Sequence, residues 1–540
     1  MKNTSLGRGA AAGVAQAARA GIGPVAAFVA AATLAALASV RASAHDENAP
    51  PQSSAPVRNL QPFEDPTGAI ATYSENGRID TSGAFFQSLG INGRNCSTCH
   101  VLDQAMSISP PQIRERFERT HGADPLFAPV DGANCTNARR SDRGDHSLLL
   151  NYGLIRIGLT LPATAQFTIS VVHDPYGCAL VVDPKTGGLT VSVYRRPLPS
   201  TNLGYLSAVM FDGRETVAPL TTDATFLANL QTDLTHQAGD AISTHFQATK
   251  TPTDQQLADI VNFELGLYTA QTWDESAGRL DGHGAAGGPL NLSKQEYYPA
   301  INDVLGADPT GDTFDSASMT VFAAWAGRSA STDDDLDDAP EFRFGDRGRR
   351  NPYPDRAAAR QNIAAGEKLF NTAPLTISNV RGLNDSAALN HPTSFQGTCT
   401  TCHDAPNVGD HSLPLPLDIG VGHSGKSGFE SDPNISQGLV ELDEPDLPVF
   451  IVNGCPNPFN PGQPASFYTT DPGKALVSGL CSDLNRVKGP ILRGLAARAP
   501  YFHNGSATTL MDAVNFYNQR FQMKLTRQQK EQLVAFLNSL

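Results

Sequence analysis

Two five-residue strings carry the chemistry that can be read directly from this sequence: Cys96-Ser97-Thr98-Cys99-His100 and Cys399-Thr400-Thr401-Cys402-His403. Two thiols three positions apart can form thioether bonds to both vinyl groups of one haem, and the histidine that follows then reaches the iron. The spacing therefore reads as covalent c-type haem, two per chain, with His100 and His403 as proximal iron ligands. A thioredoxin-like redox pair or a zinc site is the alternative for such cysteines. Neither needs His directly after the second Cys, and zinc would have to draw together two pairs from distant parts of the chain.

Haem c is attached outside the cytoplasm, and the chain opens accordingly. Its first 44 residues hold no Asp or Glu, run mostly apolar from Ile22 to Val40 and end Ala42-Ser43-Ala44, the pattern of a secretory leader cleaved near Ala44. An uncleaved anchor is the alternative for an apolar run of that length. The expected location is periplasmic or secreted. The remaining cysteines, Cys135, Cys178, Cys455 and Cys481, sit at no metal-ligand spacing, so in an oxidising compartment the expected pairs are Cys135 with Cys178 and Cys455 with Cys481.

The elements that must position the haems occur twice. Thr253-Asp254-Gln255-Gln256 leads into Ile260, Val261 and Phe263, and Thr526-Arg527-Gln528-Gln529 leads into Leu533, Val534 and Phe536 at the same offsets. Both read as helices with a capping box and matching apolar faces. Upstream stand Phe211-Asp212-Gly213-Arg214 and Phe502-His503-Asn504-Gly505, so the order of haem string, aromatic-Gly turn and closing helix repeats. The expected architecture is mostly α, two cytochrome c-like haem domains with a small β insertion at about 140–200. That insertion includes the alternating runs Phe167–Val172 and Leu189–Tyr194. The expected division is a leader at 1–44, a first haem domain at 60–272, a connecting region at 273–355 with an acidic and basic linker, and a second haem domain at 356–540.

Composition narrows the function classes. A chain of 540 residues with 40% hydrophobic and 17% charged residues can bury sizeable cores, while 48 Gly and 38 Pro call for much loop. With 40 basic against 54 acidic residues, nucleic acid is excluded as the main partner. Losing a leader with four cations (Lys2, Arg8, Arg19, Arg41) and no acid takes the formal net charge from −14 to −18.

The chain resembles the exported di-haem cytochrome c peroxidases and their relatives, the methylamine dehydrogenase maturation enzyme and the di-haem rubber oxygenases. Leu492-Arg493-Gly494, then Ala499-Pro500-Tyr501-Phe502-His503-Asn504-Gly505-Ser506 and Asn515-Phe516-Tyr517 carry most of the likeness, with Gly366-Glu367-Lys368-Leu369-Phe370-Asn371 ahead of the second string. The first half matches only in patches. The resemblance implies peroxide reduction at the first haem, with the second haem as a neighbouring electron store. It also implies a calcium ion at the junction of the halves, here on the carbonyls of Arg498 and Pro500.

The departures bear on mechanism. Where the family's second haem has a distal Met, the matching position here is Tyr517, with Met523, Met511 and His503 as the other candidates; a tyrosinate would lower the potential that Met raises. The Trp between the family's haems is Phe211, which is harder to oxidise, leaving Trp273 and Trp325 as the remaining residues of that type. Arg214 after it suits either a haem propionate or a structural ion pair. The family's catalytic Glu falls at Gln247, with His245 two residues earlier. Leu234, Ala238, Ala241 and Ile242 share a helical face with His245 rather than with Gln247, which favours His245 over the first iron as proton acceptor or ligand. His121 resembles a displaceable ligand position only loosely.

The implied partners are hydrogen peroxide or a small organic substrate, and a small periplasmic donor, a cytochrome c or cupredoxin with a basic face. A homodimer is one assembly open to the chain, the oligomeric state not being readable from the sequence. A di-haem enzyme oxidising an organic or protein substrate is the second reading, and a plain electron carrier the third.

Overall fold

The computed structural model describes residues 56–327, 355–403, 416–424, 445–460, 462 and 466–540. The expected leader at 1–44 and the charged linker around Asp333 to Pro354 lie outside the described residues.

The fold is mixed rather than mostly α: among the described residues 31% are helical and 18% are in strands, spread over five small sheets. The expectation of two mainly helical, cytochrome c-like domains is therefore corrected. The largest departure is a four-stranded antiparallel sheet in which Pro62–Asp65, Gly68–Ser74, Leu267–Asp274 and Gly278–Arg279 follow one another. The strand Gly68–Ser74 is buried along nearly its whole length, so its residues carry no polar alternation. Its small, β-branched run is zipped to the neighbouring strand by main-chain bonds and by the 2.9 Å contact between the hydroxyls of Thr72 and Thr269.

The expected insertion is two sheets. Leu189–Arg195 pairs with Ile155–Thr160 and Leu180–Val182 inside the first half. Thr168–His173 instead pairs with Val449–Asn453, which pairs in turn with Ser466–Thr469, so this sheet joins first-half and second-half segments. Val191 and Val193 of the first sheet and Phe450 and Val452 of the second are fully buried in one shared core. Two disulfides staple the region, Cys135 to Cys178 and Cys455 to Cys481, with Cα separations of 6.0 and 5.2 Å. Both are the pairs expected from the sequence, and each closes a loop whose tethering contributes about 2–4 kcal/mol.

The repeated helices form as read. Asp254–Leu265 and Arg527–Asn538 each start from a Thr whose side chain accepts the N–H of a Gln three residues on, with the Gln side chain returning to the Thr main chain. Helix Arg527–Asn538 packs on Arg356–Thr372, and Asp254–Leu265 on Phe226–Thr244. Gly213 and Gly505, at matching places in the two aromatic-Gly turns, both take left-handed backbone, with φ of +71° and +69°. The chain end is tucked in: the carbonyl of Leu540 accepts N–H groups from Gln271 and Gly494. Among the described residues, no helix is long and apolar enough to cross a membrane.

Candidate functional site

Both haem strings adopt one and the same turn. Cys96–Thr98 and Cys399–Thr401 are single turns of 3-10 helix closed by a capping box, and His100 and His403 each donate their main-chain N–H to the first Cys of the string at 3.0 Å. Each His ring rests on a Phe that rests on the closing helix. Phe85 lies 6.4 Å from His100 and 4.8 Å from Phe263; Phe370 lies 6.2 Å from His403 and 5.4 Å from Phe536. The duplication seen in sequence is thus a duplication of the packing behind each histidine.

The four string cysteines are not disulfide-bonded, and burial raises Cys99 to about 11 and Cys399 to about 12. Reactive redox cysteines need the opposite shift, toward thiolate. Among the described residues no three His, Cys, Asp or Glu side chains converge as a metal-binding set. The redox-pair and zinc readings of the strings gain nothing from this geometry.

A cavity of about 240 Å³ opens beside the second string, with Cys399, Cys402 and His403 in its wall. Most of the remaining wall is aliphatic and aromatic, including Leu533 and Leu537 from the closing helix. Three cations, Arg196, Lys488 and Arg498, stand in the same wall, and among the described residues no Asp or Glu does. Burial lowers Arg498 to about 10, and Arg196 to about 9 with repulsion from Arg498 adding to it. An apolar cavity with cations and no acid fits an amphipathic dianion, a porphyrin carrying two propionates, and the two adjacent thiols fit its vinyl groups.

Tyr517, Met523 and His503 all line this cavity, whereas Met511 does not. Burial, with Cys402 and Cys399 close by, raises the Tyr517 phenol well above its usual value. Its ring stacks on Phe521 at 5.9 Å. Burial pushes His503 down to about 4 against the pull of Asp471, whose carboxylate is 3.6 Å away. Phe211 is buried in the same wall, 6.0 Å from the His503 ring, and its carbonyl accepts the N–H of Lys488 at 2.7 Å. Trp273 and Trp325 are buried elsewhere, under Arg356 and Arg360, and line no part of the cavity.

Arg214 forms ion pairs with Asp212 at 3.0 Å and Glu215 at 3.6 Å. Asp212 also pairs with the fully buried Arg195, which grips Asp471 at 2.6 and 2.9 Å. One charge network therefore links the Gly213 turn of the first half to His503 in the second.

Around the first string, His245 caps helix Phe226–Thr244, whose Leu234, Ala238 and Ile242 are buried on the core side. Its Nδ1 bonds to Asp131, a buried carboxylate that also pairs with Arg94. Burial opposes ionisation of Asp131, but the charges of Arg94 and His245 outweigh it and hold the carboxyl below its usual range. Burial lowers His100 to about 4 against a hydrogen bond at the Met106 main chain, with charge repulsion from His245 adding to the shift. The His100 Nδ1 is 3.1 Å from the carbonyl of Met106. Gln247, by contrast, is exposed with φ of +54° and takes a bond from Asn92. His121 is an exposed left-handed residue at a helix end, away from either string.

Asp131 and Glu264 are site residues that sequence reasoning missed. Glu264 is 5% exposed, its carboxyl is pushed up to about 7 by burial against a hydrogen bond from Ser200, and it acts electrostatically on Cys96. The signal for it was in the repeat: Glu264 stands where Leu537 stands in the second half, and Leu537 lines the cavity. Nothing local in the sequence marks Asp131.

One of the two carbonyls expected to hold calcium is already engaged by a cation. That of Arg498 accepts an N–H from Arg196 at 3.1 Å, and no carboxylate joins the set among the described residues, whereas calcium takes six to eight oxygens.

No family model matches the chain. It is similar to a cytochrome-c peroxidase of Denitromonas iodatirespirans, 31% identical over 155 residues, which is 27% of this chain and 36% of that protein. The match thus spans about a third of that relative's length, and it supports a peroxidase-like redox protein.

Proposed function

We propose that this chain is an exported di-haem c oxidoreductase that reduces hydrogen peroxide at the first haem with electrons from a small donor protein. The observation that carries the reading is the cation-lined apolar cavity against Cys399, Cys402 and His403, free of acid among the described residues, taken together with the same turn at Cys96 to His100. The likeness to a cytochrome-c peroxidase supports the choice of substrate.

Haem c, bound at both strings, supplies the redox chemistry: peroxide takes two electrons and two protons to become two waters. The chain's own residues supply position and protons. With Nδ1–H donated to Asp131, His245 presents its Nε2 as an acceptor, so it can take a proton from one peroxide oxygen and return it to the other. Asp131, held by Arg94, fixes that tautomer. In the second half Arg498 and Lys488 would hold the propionates of a haem bound there, and Tyr517 and Met523 line the cavity as candidate distal groups. Phe211 and His503 lie where the halves meet. A net charge of −18 after leader removal suits a donor with a basic face.

The second reading, oxidation of an organic or protein substrate, is favoured by Tyr517 in the cavity wall and by the exposed Gln247 where a Glu is expected. Turnover assays decide between them. Peroxide-dependent oxidation of a reduced small cytochrome supports the peroxidase, and peroxide consumption that requires an organic co-substrate supports the alternative. A carrier would show neither, and its ferric spectrum would not respond to peroxide.

A further inference from the structure

The guanidinium of Arg196 has an unusual set of partners. Its Nη1 donates to the carbonyls of Tyr152 at 3.3 Å and Gly153 at 3.2 Å, and its Nη2 to those of Ile108 at 2.8 Å and Arg498 at 3.1 Å. The main-chain N–H of Arg196 adds a bond to the carbonyl of His503 at 2.7 Å. All these acceptors are main-chain oxygens. They come from the chain after the first haem string, from the end of helix Ser147–Tyr152, and from the second-half turns at Arg498 and His503. The residue is 6% exposed, and no carboxylate pairs with it among the described residues.

A buried charge with no counter-ion is costly, so the converging carbonyl dipoles must compensate it. The surroundings are cut to fit. Gly153 ends its helix in left-handed backbone, φ +63°, and a Cβ there would stand 1.8 Å from the Arg196 Nη1. Any side chain at that position would collide with the guanidinium. A ring of carbonyls drawn from separate segments is the environment in which proteins commonly bind a hard cation. Here the spacing, 2.8 to 3.3 Å to nitrogen, is that of N–H donors rather than the 2.3–2.6 Å of calcium. The planar fork of Arg suits several acceptors at once.

We propose that Arg196 is a resident cation. Its guanidinium fills the carbonyl ring at the junction of the two halves, a place that would otherwise take a bound metal ion, and makes their association independent of calcium. This does not rest on the peroxidase reading.

The test uses the full holoprotein. Wild type is expected to contain less than stoichiometric calcium by elemental analysis, and to melt at the same temperature with EDTA or with added calcium. Arg196→Ala is expected to melt about 5 to 10 °C lower, because four buried carbonyls lose their donors. Low-millimolar guanidinium chloride should restore part of that loss, while sodium chloride at the same concentration should not. If Arg196→Ala does not fold, Arg196→Lys serves instead: a point charge reaches fewer of the carbonyls, so its melting temperature should be lower than wild type and insensitive to EDTA. Stoichiometric calcium in wild type, a fall in its melting temperature with EDTA, an Ala or Lys variant as stable as wild type, or an Ala variant unaffected by guanidinium would each overturn the proposal.

Discussion

The ring of Phe211 stands 6.0 Å from that of His503, and the two residues belong to equivalent turns of the two halves. Behind them the charges run from Arg214 through Asp212, Arg195 and Asp471 to His503. An aromatic pair backed by a buried ionic network is a rigid place for two redox centres to communicate. A Phe at this position transmits only by tunnelling through its packing. Phe211→Trp is expected to raise the rate of electron exchange between the haems several-fold, and Phe211→Ala to lower it, as read by stopped-flow absorbance after peroxide is mixed with half-reduced protein.

In the proposed function, proton handling at the first site is assigned to His245 and its partner Asp131. His245→Ala is expected to lower kcat/KM for peroxide by about 10²- to 10³-fold with haem content unchanged. Asp131→Asn should lower it less but also lower the melting temperature, since Arg94 loses its buried partner. Gln247→Ala, an exposed substitution, should leave peroxide turnover within about two-fold of wild type. Steady-state kinetics with reduced cytochrome check all three, and equal losses in His245→Ala and Gln247→Ala would contradict the assignment.

Tyr517 is buried beside Cys399 and Cys402, where its phenol holds its proton more tightly than usual. Only a positive metal facing it would release that proton. Tyr517→Phe is expected to change the ferric spectrum of the second haem and raise its reduction potential, while Met523→Leu leaves both nearly unchanged. Potentiometric titration followed by absorbance separates these outcomes, and a Met523→Leu protein that changes in place of Tyr517→Phe would assign the ligand to Met.

Glu367 gives the stability curve a definite slope. Burial pushes its carboxyl from 4.5 up to about 7, against hydrogen bonds from Phe322 and Val321 and the charge of Arg493. The folded state therefore keeps a proton that the unfolded state releases, and this residue's contribution falls as pH rises from about 4.5 to 7. Glu367→Gln should remove that part of the slope, a change on the order of 2 kcal/mol between those limits, measured by denaturant melts at several pH values.

How much of this was legible in the sequence depended on how local the chemistry was. The Thr and Gln capping boxes follow from neighbours in the chain and the two disulfides from the grouping of the cysteines, and both took the expected form. Strand Gly68–Ser74 was invisible because burial on both faces erases the alternation that marks a half-exposed strand. Thr168–His173 was recognised as a strand, but its partner Val449–Asn453 lies in the other half, and pairing across that distance leaves no local mark. Asp131 reaches His245 and Arg196 reaches Arg498 in the same long-range way. Glu264 was readable in principle, by aligning the repeated helices and asking what replaces a cavity-lining Leu.

The central claim is that both turns carry covalently attached porphyrin. Intact mass spectrometry of the purified mature protein tests it most directly. The expected mass is that of the polypeptide plus two haems, falling by one haem in Cys399→Ala/Cys402→Ala and by one in Cys96→Ala/Cys99→Ala. A mature chain carrying one haem or none would contradict the account.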